Sequence, residues 1–493
     1  MAETSAHGAI RLESSSGDPR NRAKRSRPPP PMGARDLISD LPDAVIHHIF
    51  SFLPLEDVVK TGVLSKRWQS TWTTTAHLVF DDLRPRDLET YYPDFPSLVD
   101  SVLIRCTSPA VKRFHITISK HYEAYWPKFD LWLRFAEGRR VEDLRLRLDA
   151  QQECFYKLPR FLYCLSRLVR LEVWSCFLSL GTAVRWPCLK VLLLGCAEMS
   201  DDILEGIVRG SPVLESLELN YCGGVKNIII HSTSVKQLIL VDGGFSDLEK
   251  IWAPHLLSLR VSGIWCLHSM FRLDDISSLV EADLDFWVSG DGIGRDLLKE
   301  LLEKLRGVST ITIGHWCLQV LSALEIEGVS SPLSKCQNLI LHAPVSQWEL
   351  PRIAYILRSS QCLEKLAIHL TCSCIFKFKL DEESTERFNE DLLSWKGNFQ
   401  CLAKHLKRVE IIGFAVSLGS KHLLALIKFL LGDALVLEKM IIKVDLHAQR
   451  GQKHLEAADL SKLLGVYLDV LSYQRASQNA EVIFNYSLEE VSF

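Results

Sequence analysis

Cys372 and Cys374 stand one residue apart, close after His369, and are the tightest grouping of metal-ligating residue types in the chain. Thiolate and imidazole suit zinc, but a closed tetrahedral site needs four donors and no fourth follows nearby. His369 falls on an expected strand and Cys374 on its core side, so no metal is expected. Gly290, Gly292 and Gly294 in Ser289-Gly-Asp-Gly-Ile-Gly-Arg295 resemble a phosphate loop only in composition. Their spacing is not that of a dinucleotide fingerprint, and a polar linker between repeating units accounts for them. The phosphate-loop pattern Gly-x-x-x-x-Gly-Lys-Ser/Thr, the zinc helix His-Glu-x-x-His and the elbow Gly-x-Ser-x-Gly do not occur. A nucleophilic cysteine needs surroundings that lower its thiol pKa, and the sequence indicates none. No catalytic group and no cofactor are expected, and the chain reads as a non-enzyme.

What remains is a long chain that must position surfaces rather than reacting atoms. Its 493 residues exceed one compact domain and imply several domains or an extended array. Hydrophobic residues at 47% and charged residues at 24% exclude wholesale disorder. Lys+Arg (57) nearly balance Asp+Glu (60), which argues against a dedicated nucleic-acid binder. The 14 cysteines are scattered, without a Cys-x-x-Cys pair, as in a reducing compartment with buried thiols. No apolar run is long enough to span a bilayer, and the N-terminus has no apolar signal core. Neither membrane nor nucleic acid is expected as a partner, and the cytoplasm, the nucleus or both are the expected locations.

Residues 1–35 carry serines, no aromatic residue, the run Pro28–Pro31 and the basic group Arg20, Arg22, Lys24, Arg25 and Arg27. Such a segment buries too little apolar surface to offset its ordering entropy and is expected to be disordered, with nuclear import or solubility as its role. From residue 36 to 80 the character changes. Leu41, Val45, Ile46, Ile49, Phe50 and Leu53 recur at helical spacing. Pro54 is expected to stop that helix, Leu55, Val58 and Val59 to form a second, and Ser65 to cap a third that carries Trp68 and Trp72. Three short helices make a poor independent core, so large apolar groups are left for a partner to cover.

The stretch from Asp36 to Trp72, with Leu41-Pro-Asp43, Ile49-Phe-Ser-Phe-Leu-Pro54 and Val63-Leu-Ser-Lys-Arg-Trp68 in order, resembles a plant-type F-box. The resemblance implies docking on the Skp-type adaptor of a cullin-based SCF ubiquitin ligase and, through it, on the cullin. It implies Leu41, Pro42, Ile46, Ile49, Leu53, Leu55, Val58, Leu64 and Trp68 as residues that either face the adaptor or shape the module.

Beyond residue 105 the pattern apolar-x-x-apolar-x-apolar recurs. Its first positions are Val111, Val141, Leu168, Leu189, Leu214, Val235, Leu256, Leu279, Val308, Cys336, Leu363, Leu406 and Leu437. Most intervals match leucine-rich repeats of 20–29 residues. Alternation gives each copy a short strand with two side chains inward, and no copy covers its own apolar edge, so copies must stack into a solenoid. The end of the chain, with Trp395-Lys-Gly-Asn-Phe399, Leu406-Lys-Arg-Val-Glu-Ile-Ile-Gly-Phe414, Leu437-Glu-Lys-Met440 and Tyr473-Gln-Arg-Ala-Ser477, resembles the FBD region of plant F-box/leucine-rich-repeat proteins. Gln474 stands where that family usually has proline. The expected organisation is an α/β chain: a tail over 1–35, a three-helix F-box over 36–80, a leucine-rich-repeat solenoid with a curved, mainly parallel sheet over 81–394, and FBD-like repeats and a cap over 395–493.

Outward positions of that register define an inner face. Early copies present Arg113, His115, Arg145, Arg147 and Arg170 with Trp174, and middle copies present Leu193, Glu218 and Ile239. Later copies present Arg260, Glu281, Asp283 and Asp285, then His342, Lys365, His369, Arg408, Lys439 and Lys443. This predicts a face running from basic through partly apolar to acidic, then mildly basic. Such alternation favours a protein target over a uniform polyanion. Arg145, Arg147, Arg170, Trp174, Leu193, Glu218, Ile239, Glu281 and Asp283 are the candidate target-binding residues. The expected function is that of a substrate receptor, with an F-box scaffold outside a ligase, or a nucleic-acid binder, as the alternatives.

Overall fold

The computed structural model describes residues 37–38, 40–82, 95–118, 125–148, 156–178, 183–241, 244–265, 271–288, 293–326, 333–343, 349–370, 399–414, 421–445 and 457–487. Cys372 and Cys374, the basic tail and most of the glycine-rich linker lie outside them. At the N-terminal end, α1 (Asp43–Phe50), α2 (Leu55–Lys60) and α3 (Trp68–Thr71) form the expected helical module. Helix α1 ends before Pro54, at Ser51, whose hydroxyl bonds back to the His48 carbonyl; Pro54 instead begins α2. Ser65 accepts the Trp68 N–H through its hydroxyl, as expected of a cap. A Cβ on Gly62 would come 3.3 Å from the Gln69 backbone, so a small residue there lets the second and third helical segments approach.

A 15-stranded sheet follows, parallel throughout, with its strands in chain order from His77–Asp81 to Glu481–Ser487. Each of the repeat positions read from the sequence is buried and lies two residues ahead of a strand, from Val111 before Arg113–Ile118 to Leu437 before Lys439–Asp445. The apolar ladder therefore sets the fold. Its first and last strands escape the pattern. His77–Asp81 is preceded by buried Thr75 rather than an aliphatic residue, yet Leu78 and Phe80 fill the core as in any other copy. That strand overlaps the end of the stretch expected to be helical. Glu481–Ser487 lies at the other edge, paired on one side with Lys439–Asp445.

The interval between copies decides what covers the back of the sheet. Intervals of 21–23 residues, from Leu214 to Leu279, leave room only for extended chain, and Asn227–Ile229, Lys250–Trp252 and Arg272–Leu273 pair there as a second small parallel sheet. The longer intervals after Leu279 hold helices, among them Ile293–Lys304, His315–Ile326 and Glu349–Ser359. Three successive copies leave the sheet through a left-handed residue: Ser175, Cys196 and Tyr221, with φ of 57°, 47° and 53°. Their N–H groups bond to the carbonyls of Gly195, Asn220 and Val241, extending the ladder by one residue while the chain turns. These hydrogen bonds offset the cost of a conformation unusual for residues with a Cβ. Beneath them, the buried Cys176 and Cys222 thiols donate to backbone carbonyls, and burial pushes Cys222 up to about 12.

Candidate functional site

The helical module divides its apolar residues between an interior and a surface. Ile46, Leu55, Val58 and Trp68 are buried with Phe50 and Trp72, and the Phe50 and Trp68 rings meet edge-on at 5.7 Å. The Trp68 indole N–H donates to the Ile38 carbonyl at 3.1 Å, and Arg67 pairs with Asp43, tying the third helix to the chain entering the first. Of the nine residues expected here, these four hold the module together. Leu41 and Ile49 are half-buried against the same core, and Pro42, Leu53 and Leu64 are exposed. The surface is larger than the sequence reading gave. Leu37, Ile38, Val45, Phe52, Val59 and Val63 are also exposed, Phe52 by 74% and Val63 by 88%. Helical spacing marks a face as apolar but does not say which apolar residues a three-helix module is too small to cover.

The inner face of the sheet is built from three rows of side chains, one from each outward position. Register carries the middle row from His115 through Arg145, Glu172, Leu193, Glu218, Ile239 and Arg260 to Asp283, and onward to Glu410. All of the expected target-facing residues lie on this face. The expected run of fields needs correction, because carboxylates sit among the cations. Glu172 comes between Arg145 and Leu193 with its side chain 3% exposed, and the reading from sequence omitted it. Arg145 Nε lies 2.8 Å from one of its carboxylate oxygens and Arg147 Nε 2.7 Å from the other, with Arg170 at 3.9 Å. Trp174 donates its indole N–H to the same carboxylate at 3.2 Å. Leu193 is buried rather than exposed, flanked on its row by Glu172 and Glu218.

A second missed carboxylate repeats the arrangement near the far end. Glu410, its side chain 7% exposed, gathers Lys365 at 3.0 Å, Arg408 at 2.8 Å and Lys443 at 3.8 Å. Against the opposing effect of burial, Lys365 and Arg408 hold its carboxyl below the usual range. Between the two hubs, Asp283 binds Arg260 at 2.7 Å and Asp285 binds His342 at 2.8 Å. Burial raises Asp283, and the hydrogen bond to Asp285 raises His342. The expected acidic field is thus matched by its own partners, with Glu281 left exposed beside it.

Two glycines make the long reaches possible. Trp174 lies across Gly195 of the next strand, where a Cβ would fall 2.3 Å from the indole. Asp285 crosses Gly314 in the same way to meet His342 two strands away, and a Cβ there would strike its carboxylate. Among the described residues no cluster of three or more His, Cys, Asp or Glu could hold a metal ion, and no helix is long and apolar enough to cross a membrane.

A helical module with uncovered apolar residues, joined to a parallel solenoid whose inner face mixes charged, apolar and aromatic side chains, defines a leucine-rich-repeat protein. Comparison with known proteins gives its family. The model of the F-box domain matches residues 38–77, that of the FBD matches residues 396–442, and that described as "FBD-associated F-box protein At5g56370, LRR repeats" matches residues 129–276. The chain is 31% identical over 402 residues to F-box/LRR-repeat protein At5g02910 of Arabidopsis thaliana, covering 78% of this chain and 82% of that one. It is 30% identical over 457 residues to F-box/LRR-repeat protein At3g03360 of the same plant, covering 87% and 89%. The chain belongs to the F-box/LRR-repeat family with an FBD region.

Proposed function

We propose that this chain is the substrate-recognition subunit of an SCF-type cullin ubiquitin ligase, working in the cytoplasm, the nucleus or both. The F-box docks on a Skp-type adaptor and, through it, on a cullin, while the inner face of the solenoid holds a target protein. Ubiquitin transfer is then catalysis by proximity, in which the target lysine is held near a charged conjugating enzyme supplied by other subunits. The observation that carries the reading is the band of exposed apolar side chains on a module whose own core is already filled by Ile46, Phe50, Leu55, Val58, Trp68 and Trp72. Clustered exposed groups of this size mark a contact surface.

Co-purification of the full chain with a Skp-type adaptor and a cullin tests this. Wild type is expected to recover both. Leu53→Glu/Leu64→Glu, which alters exposed positions only, is expected to lose both while the chain stays folded by circular dichroism. Equal recovery by the two chains would refute the docking surface, and recovery of the adaptor without a cullin would point to a scaffold outside a ligase.

A further inference from the structure

The far end of the solenoid leaves its core open. Glu481–Ser487 is the last strand and pairs with Lys439–Asp445 in unbroken register, and among the described residues no strand lies on its other side. Val482 and Phe484 stand beside Met440 and Ile442 in that register. Met440 and Ile442 are buried, whereas Val482 and Phe484 are only half-buried. The helix before the strand, Ala457–Ser472, buries Leu463 and Val470 and leaves Leu464, Leu468 and Leu471 exposed by 59%, 57% and 38%. Steps of four and three residues set these leucines on one face. Proteins blunt exposed strand edges with lysine, proline or a bulge. Glu481–Ser487 carries none of these, and its single charged residue is Glu481 at its start.

The two edges of the sheet are not alike. Helix α2 packs against His77–Asp81 at the first edge, so a second chain adding head to tail would have to displace the helical module. A tail-to-tail pair uses the last edge twice and closes on itself. We propose that a second copy of this chain covers the last edge, the two Glu481–Ser487 strands pairing antiparallel about a two-fold axis at Phe484. That axis sets Glu481 across from Ser487 of the second copy and Val482 across from Tyr486, so no like charges oppose one another. The Tyr467 ring meets Phe484 edge-on at 4.8 Å, which places the middle of the helix level with the middle of the strand. The same axis therefore passes beside Leu468 and lays Leu464 of each chain against Leu471 of the other. Backbone pairing gives the contact its register, and the leucine stripe gives it apolar burial. One continuous sheet then runs through both chains, with an F-box at each outer end. This holds whatever the F-box binds.

Sedimentation of the full chain tests the proposal. At micromolar concentration the chain is expected to run at twice its own mass. Leu464→Lys/Leu468→Lys changes exposed positions only and gathers like charges about the axis, so association is expected to weaken about 100-fold or more while circular dichroism stays that of wild type. Leu131→Lys, exposed by 68% on an early copy, and Leu53→Glu/Leu64→Glu on the F-box are expected to stay paired. A short bismaleimide is expected to link two chains through Leu468→Cys, and to link none through Leu131→Cys. The mass of one chain at every concentration overturns the proposal; protection of the Glu481–Ser487 amides from exchange in that monomer would give the edge to another segment of this chain. A pair that survives Leu464→Lys/Leu468→Lys, that is lost with the Leu131 or F-box variants, or that cannot be linked through Leu468→Cys also overturns it, because the contact then lies elsewhere. Leu464→Lys/Leu468→Lys is expected to recover the adaptor as wild type does, so failure here and failure of the receptor reading are told apart.

Discussion

Replacing Glu172 with Gln tests whether the inner face is organised by buried carboxylates. The substitution keeps the side chain's shape and an acceptor for the Trp174 indole, and removes one charge from beneath three guanidinium groups. Opposite charges about 4 Å apart attract by about 4 kcal/mol at an effective dielectric of about 20. The arginines are a third to nearly half exposed, and solvent screening leaves such pairs worth about 0.5–1 kcal/mol each. Losing the two close pairs and exposing three cations to unrelieved repulsion, less the saved desolvation of the carboxylate, gives a net loss of about 1–3 kcal/mol. In a solenoid this loss is local, because each copy contacts only its neighbours. Hydrogen exchange of the amides in Asp143–Leu148 and Arg170–Trp174 should therefore accelerate about 5- to 150-fold at low salt, with the strands after Lys365 unchanged. Raising salt to about 0.5 M should close at least half of the gap, because the Debye length falls from about 10 Å at 0.1 M to about 4 Å and screens the partly exposed cations from one another. Exchange equal to wild type at low salt, or a gap that salt leaves unchanged, would refute the reasoning.

Further outcomes follow from other contacts. Phe52→Ala/Leu64→Ala removes exposed apolar surface and should weaken adaptor binding about 30-fold or more by calorimetry without lowering the melting temperature, whereas Ile46→Ala should cost about 2–4 kcal/mol of stability. His342 is held above its ordinary value of 6.5 by Asp285, so its share of stability is complete below that pH and is lost as pH rises through the elevated folded value. Imidazole titration by NMR should show this, and Asp285→Asn should bring His342 down, with Asp283, Arg260 and His369 as its remaining neighbours. Gly195→Ala should evict the Trp174 indole from its seat, and hydrogen exchange of Arg170–Trp174 should accelerate while the adaptor stays bound.

The apolar ladder was legible because the spacing within each copy is strict, although the interval between copies is not. The residue two places ahead of each strand is buried in copy after copy, from Val111 to Leu437. Thr75 broke the rule at the first strand, where a small polar side chain fills the position an aliphatic one usually takes. Charge pairing was not legible. Glu172 and Glu410 each share a strand with a single cation, Arg170 and Arg408, which by itself marks no hub. Their partners Arg145, Arg147, Lys365 and Lys443 come from neighbouring strands, 25 to 45 residues away in the chain, and only the register brings them together. The same holds for Gly195 and Gly314, which read as ordinary residues until a side chain from the adjoining copy is laid across them.

The uneven backing of the sheet bears on how far the molecule can bend. Strands repeat about every 4.8 Å, and helices side by side need about 8–10 Å. Where strands back strands, near Lys250–Trp252, the two layers advance at the same rate and the ribbon has no reason to arc. Where helices fill the intervals, as in most of those after Leu279, the outer layer needs more room than the inner one, which favours an arc. The inner face is therefore expected to run flatter near Arg260 than around Glu410, where helices fill the intervals on both sides.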